Sequence, residues 1–186
     1  TRDPGRRHMS TVAVVPIDRS APTQAFCQQL QASLSQFGSA VHLTSARVDE
    51  HLGRPGIAQA YERGGRNVRV VEWLASQEIE HRFVLYECDS FLSPWTERCI
   101  RQADHIILVG NGDGDPALGE IEAELLAAPG KRPLARQWLV LVHEEGEPSG
   151  TKRWLQLRNV ERHYHVRPRD GRGIERLARL VSRPAA

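Results

Sequence analysis

The chain alternates between two hydrophobic rhythms. Short, nearly continuous apolar runs occur at Thr11 to Val15 (TVAVV), Ala40 to Leu43 (AVHL), Arg82 to Asp89 (RFVLYECD), Asp104 to Val109 (DHIILV) and Gln137 to His143 (QWLVLVH). Runs of this length, rich in Val, Ile and Leu, predict strands buried on both faces, as in a parallel sheet. Glu161 to Val166 (ERHYHV) is more polar and predicts an edge strand. Between the runs, apolar residues recur at helical spacing. Phe26, Leu30, Leu34 and Phe37 form one such face, with Pro22 in the first turn and Gly38 as the stop. The stretch 45–65 holds a short helix and a glycine-rich connection, and Val70 to Glu80 predicts a helix carrying Trp73 and Leu74 inward. Ser93 caps a helix in SPWTERCIRQA. After GNGDGDP, Asp115 as cap and Pro116 at the first position predict a helix with Leu118, Ile121 and Leu125 inward. Ile174, Leu177, Ala178 and Val181 give a last amphipathic helix. Strands alternating with helices predict an α/β fold, a mostly parallel sheet flanked by helices on both faces.

Bulk properties narrow the class. The 186 residues suffice for one domain with a real core. TRDPGRRHM (1–9) lacks periodicity and reads as a cloning-derived tail, so the domain is expected over 10–186. No apolar run approaches the roughly 20 residues that cross a bilayer, and no signal peptide is visible, so a soluble, cytoplasmic domain is expected. Cys27, Cys88 and Cys99 lack paired spacing and predict buried thiols rather than a disulfide framework or zinc motif. The net charge of +2 hides a division along the chain. From Glu72 to Glu124 twelve acids face three arginines, whereas from Thr151 onward ten basic residues face three acids. Surfaces of opposite sign follow.

In a parallel α/β sheet, ligands bind beyond the carboxyl ends of the strands. The first strand and the loop after it, VAVVPIDRSAPTQAF, have the outline of a phosphate-binding strand, loop and helix. Laying GxxxxGK[ST] on PIDRSAPT puts Pro16 and Ala21 on the glycine positions, Pro22 on the lysine and Thr23 on the hydroxyl position, so only Thr23 fits. Pro22 offers neither an N–H nor a charge, and Asp18 would repel phosphate. Arg19 compensates in part. Glu87, Asp89, Asp113 and Asp115 are expected near the same crest, and Asp89 stands either where a magnesium-linked aspartate would lie or as a strand-end carboxylate facing water or capping the next turn. Arg19, Thr23 and Asp89 are therefore the candidate nucleotide residues of a P-loop NTPase or Rossmann-like three-layer fold with a degenerate phosphate loop. No cofactor is assigned.

Other chemistries find less. There is no GxSxG elbow, and Ser149 lies in a turn-like loop. His163 and His165 face one side of a strand near His143 or Glu144, but an HxH pair on an edge strand reads as surface, and no metal set is assigned. GNGDGDP lacks the spacing and terminal glutamate of a calcium loop. Arg172, Arg176, Arg179 and Arg183 recur at three and four residues on the last helix. They fit a solvated face, an anionic lipid surface, or nucleic acid, although no aromatic stacking platform accompanies them and no nucleic acid is expected.

HRFVLYECDSFLSPWTERCIRQADHIILVG, with WLASQE upstream and GEIEAELL downstream, resembles a segment of neuropathy target esterase-type patatin-like lysophospholipases. VAVVP, LTSARVDEHLG and IERLARLVS extend the resemblance over nearly all of Ser10 to Ser182. In that family the segment lies between cyclic-nucleotide-binding domains and a patatin-like catalytic domain, and is similar to ParA- and MinD-type ATPases with a degenerate phosphate loop. The resemblance implies a noncatalytic regulatory or scaffolding domain of a membrane-associated parent that hydrolyses phospholipid ester bonds. The implied partners are the patatin-like and cyclic-nucleotide-binding domains of the same polypeptide and an anionic membrane surface. The patatin serine and aspartate dyad has no counterpart among these residues, so no catalytic residue is carried over. A functional nucleotide-binding domain with an atypical loop around Arg19 and Thr23 is the competing expectation.

Overall fold

Ser10–Pro16 (β1), Ala40–Leu43 (β2), Phe83–Glu87 (β3), His105–Asn111 (β4), Arg136–Val142 (β5) and Arg162–Val166 (β6) form a single sheet in the order β2-β3-β1-β4-β5-β6, with every neighbouring pair parallel. These elements come from a computed structural model that describes residues 9–127 and 135–183. The expected tail lies outside the described residues except for Met9. Helices α1 (Thr23–Leu34), α2 (Ser45–Leu52), α3 (Gly65–Glu80), α4 (Pro94–Gln102) and α5 (Thr151–Leu157) lie in the crossovers that parallel strands require, and α6 (Arg172–Ser182) follows the last strand. No described helix is long and apolar enough to cross a membrane.

The continuous apolar runs become strands buried on both faces. On one side Val12 and Val14 of β1, Phe83 and Leu85 of β3 and Ile107 and Val109 of β4 pack under Phe26, Cys27, Leu30 and Leu34 of α1 and Ile174, Leu177, Ala178 and Val181 of α6. On the other, Ala13, Val15, Val84, Tyr86, Ile106 and Leu108 meet Val70 and Leu74 of α3, Trp95 and Cys99 of α4 and Trp154 of α5. Period-two alternation along each strand thus feeds two cores rather than a core and a wet face. All three cysteines are buried free thiols.

Local signals act at several helix ends. The Ser93 hydroxyl accepts the Thr96 N–H at 3.1 Å, and Pro94 occupies the first turn of α4. Thr44 caps α2 in the same way, and Gly53, at φ 65°, closes it in the left-handed conformation that a side chain resists. α1 ends at Leu34, before Gly38; Phe37 still packs against the core from the following turn.

One helix drew no expectation, and one expectation fails. α5 is absent from the sequence reading because TKRWLQL carries one apolar anchor, Trp154, and too short a period to register. The helix expected from Asp115 and Pro116 does not start there. Asp115 Oδ1 instead accepts the Ala117 N–H at 2.9 Å, Leu118 is exposed, and helical structure begins at Glu120 and widens into one π-helical turn, Glu122–Leu126. The cause is Arg158, whose side chain is only 3% exposed. It forms a two-pronged ion pair with Glu122 at 2.9 and 3.2 Å and donates to the carbonyls of Trp154 and Pro116. Glu122 also accepts the Gly119 N–H at 3.2 Å. The guanidinium therefore holds residues 116–119 open as a loop, satisfying carbonyls that a helix would have used itself.

Removing one partner of such a pair strands a buried charge, which costs about 3–5 kcal/mol. Arg158→Met and Glu122→Leu are each expected to lose that much stability in urea denaturation. The double variant should recover much of the loss, because the buried charges then disappear together.

Candidate functional site

The carboxyl ends of β1, β3 and β4 meet where a nucleotide would sit in a sheet of this kind. The loop after β1 satisfies itself. Asp18 Oδ1 accepts the Ser20 N–H at 2.8 Å and the Ser20 hydroxyl, while the Ala21 and Thr23 N–H groups bond to the carbonyls of Asp18 and Ala21. Pro22 stands at the cap of α1 without a side-chain cap bond. A phosphate cradle requires successive N–H groups turned toward the anion, and here those of Ser20, Ala21 and Thr23 are engaged within the loop. Thr23 is buried and its hydroxyl donates to the Ala21 carbonyl at 3.3 Å. Arg19 is exposed and makes no hydrogen bond or ion pair among the described residues.

The loop after β4 presses onto the same crest. A Cβ at Gly119 would lie 2.0 Å from the Ile17 carbonyl oxygen, and one at Gly112 would lie 2.1 Å from the His143 ring. Only glycine permits these approaches. The end of β1 is therefore covered by backbone.

Asp89 is engaged as well. Its Oδ1 accepts the Ser45 hydroxyl at 2.8 Å, and its Oδ2 accepts Gln59 Nε2 at 2.8 Å and the Ser93 hydroxyl at 2.7 Å. Gln59 in turn accepts the Trp95 N–H at 3.0 Å. One carboxylate thus gathers the start of α2, the 3₁₀ turn Ile57–Gln59 and the cap of α4. These side-chain contacts occupy both carboxylate oxygens.

Glu87 turns sideways rather than upward. Its Oε1 lies 3.0 Å from Nε2 of the buried His42, with the Cys27 thiol close by. Farther along the crest, His143 Nε2 and His165 Nδ1 are 2.8 Å apart, and His165 Nε2 lies 3.3 Å from the Thr151 hydroxyl. His163 approaches His165 edge to face, so the two do share one side of β6 as expected. Burial, reinforced by His143 and His163, holds the His165 pKa below the ordinary imidazole value.

The arginines of α6 lie apart from this crest chemistry. Arg172, Arg176, Arg179 and Arg183 are all exposed, opposite the apolar stripe that packs on α1. Arg172 sits 3.9 Å from Asp170, and the Arg176 guanidinium lies 5.9 Å from the centre of the Tyr164 ring.

Residues 8–182 match the family model described as the Neuropathy Target Esterase family P-loop like domain. The chain belongs to this family. Among family relatives, rat patatin-like phospholipase domain-containing protein 7 is 43% identical over 162 residues, covering 86% of this chain and 11% of its own length. Human patatin-like phospholipase domain-containing protein 6 is 40% identical over 163 residues, with the same coverages of 86% and 11%. Neuropathy target esterase sws of Drosophila erecta is 39% identical over 168 residues, 88% of this chain and 11% of its own. The neuropathy target esterase P-loop-like domain thus spans about a tenth of the curated relatives it matches. Its fold is similar to that of a plasmid partition protein from Borrelia burgdorferi B31 solved with AMPPNP. The TM-score is 0.50 at 8% identity, covering 84% of this chain and 85% of that one. At that identity the likeness concerns the fold alone.

Two groupings escaped the sequence. Cys27, His42 and Glu87 stand far apart in the chain and match no spaced motif; parallel register brings Glu87 opposite Val14 and His42 opposite Leu85. Arg158 and Glu122 are likewise joined only by the fold.

The lowered His165 pKa fixes a sign. A group that binds protons less readily folded than unfolded contributes stability fully above its unfolded pKa and loses it as pH falls through that value, about 6.5 for imidazole, toward the folded one. His105, also lowered mainly by burial, acts in the same direction. The melting temperature is expected to fall between pH 7.5 and pH 5, and His165→Gln should flatten part of that slope, as read by thermal denaturation at a series of pH values.

Proposed function

We propose that this domain is a noncatalytic scaffolding or regulatory module of a patatin-like phospholipase or esterase, keeping the frame of a P-loop NTPase without its ligand. The observation that carries this reading is the closed crest. The N–H groups of Ser20, Ala21 and Thr23 bond within the first loop, Gly119 packs on the end of β1, and Asp89 is consumed by Ser45, Gln59 and Ser93. Nucleotide binding through Arg19 and Thr23 is not favoured by this geometry, because the exposed Arg19 is the sole loop cation and cannot rebuild a cradle. In the parent, by family membership, ester bonds of phospholipids or lysophospholipids are the substrate class. The partners of the domain are then the patatin-like and cyclic-nucleotide-binding domains of the same cytoplasmic, membrane-associated polypeptide, and its task is to couple sensor to catalyst or to orient the catalyst.

Calorimetry with ATP or GTP and magnesium is expected to show no binding at micromolar concentrations. Asp89→Ala should lower stability by about 2 kcal/mol through its orphaned donors and leave the nucleotide titration unchanged. Micromolar binding that Asp89→Ala abolishes would overturn the reading.

The exposed arginines of α6 favour an orienting role at an anionic lipid surface. Vesicles containing phosphatidylserine should retain the domain at low salt, and retention should fall at high salt or when Arg172, Arg176 and Arg179 are replaced by Gln. Neutral vesicles and duplex DNA should retain it weakly or not at all. Indifference to anionic vesicles would remove the membrane role.

A further inference from the structure

We propose that Cys27, His42 and Glu87 form a binding site for a divalent transition-metal ion, with zinc as the best match. Cys27 lies in the second turn of α1, His42 on β2 and Glu87 at the end of β3. One potential ligand atom from each lies within 4.8 Å of the other two. The inference is independent of whether the crest binds nucleotide.

The donor set has the right chemistry. Thiolate, imidazole and carboxylate are the three side-chain ligand types that zinc accepts together, and three protein ligands leave a fourth tetrahedral position for water or another exchangeable group. Zinc bonds of about 2.0–2.3 Å separate tetrahedral ligand atoms by roughly 3.3–3.8 Å. His42 Nε2 and Glu87 Oε1 are already 3.0 Å apart, and the longest separation has to close by about 1 Å at most. The Glu87 side chain can make that adjustment, being 18% exposed where His42 is 1% exposed. The same partial exposure gives the ion an entry path from the crest.

The surroundings favour a cation. Among the described residues Glu87 has no Lys or Arg partner; its side-chain ion pair is with His42 alone. Without an ion, Nε2–H of His42 donates to the Glu87 carboxylate and Nδ1 is buried without a partner; on binding, the ring proton moves to Nδ1 and Nε2 presents its lone pair. Burial and the neighbouring Glu87 push the Cys27 thiol well above its ordinary pKa, so the apo protein holds it as S–H. Binding then exchanges one proton for the ion: the S–H bond breaks, the proton leaves to solvent, and sulfur donates its pair to the metal. Affinity therefore rises with pH. The ion would fasten α1 to the β2 and β3 side of the sheet.

The test uses the 186-residue chain with Co²⁺ as a spectroscopic probe and Zn²⁺ in competition against a chromophoric chelator. Expected are one ion per chain, intense visible d–d bands of four-coordinate cobalt, a thiolate-to-cobalt charge-transfer band, displacement of both by Zn²⁺, a higher melting temperature, and release of one proton per ion in weak buffer. Cys27→Ser should abolish the charge-transfer band, while Cys99→Ser preserves it. His42→Gln and Glu87→Gln should each weaken binding more than about tenfold, and they decide the matter if Cys27→Ser does not fold. Absence of a stoichiometric cobalt spectrum would overturn the proposal. So would a spectrum without thiolate character that His143→Gln removes, because the ion would then sit at the imidazole pair.

Discussion

A strand buried on both faces can place polar chemistry only at its ends, and β1 is such a strand. Val12, Ala13, Val14 and Val15 are each 0% exposed, between β3 on one side and β4 on the other. Apolar side chains fill both cores, so nothing along its length can bind a polar ligand. At its amino end Thr11 is locked to Asp104, whose carboxylate accepts the Thr11 N–H at 3.0 Å and hydroxyl at 3.1 Å. The carboxyl end remains, and there the chain folds its polar groups onto one another.

The consequence reaches α1. In a working phosphate loop the anion would meet the positive end of the helix dipole. Here α1 has no acidic residue in its first turn and no side-chain cap bond. Its position rests on Phe26, Cys27, Leu30 and Leu34 packed against the sheet and α6. Apolar burial of that kind stabilises by about 25 cal/mol per Å², without direction or charge. The helix therefore holds its place by apolar packing alone, with no need of an anion at its amino end.

The sequence revealed what depends on local pattern. Five strands stand where continuous apolar runs predicted them and the sixth where the more polar ERHYHV predicted an edge strand, and Ser93 caps α4 as its spacing implies. The degenerate loop was legible for the same reason, since missing glycines and a proline in the lysine position are local facts. What it concealed depends on distant partners. Arg158 overrides the helix signal of Asp115 and Pro116 from 42 residues beyond the proline, and one side chain outside the window reverses a correct local rule. The partners of Asp89 were hidden for the same reason, since Ser45 and Gln59 lie 44 and 30 residues away. Cys27 read only as a buried thiol and His42 drew no separate reading; strand register and the packing of α1 on the sheet gather them around Glu87.

The sheet also has two rims. β2 is four residues long, and β6 is five residues long with Arg162 and His163 exposed upon it. An unpaired strand edge invites another strand to add to it, and short length and outward charge are the usual deterrents. In the rat relative the matching segment is about a tenth of the length, so there the sheet folds amid long stretches of other chain. Blunt rims deter such a sheet from recruiting neighbouring strands while they are still folding, and the shortness of β2 and the arginine on β6 serve the surrounding chain as much as the domain.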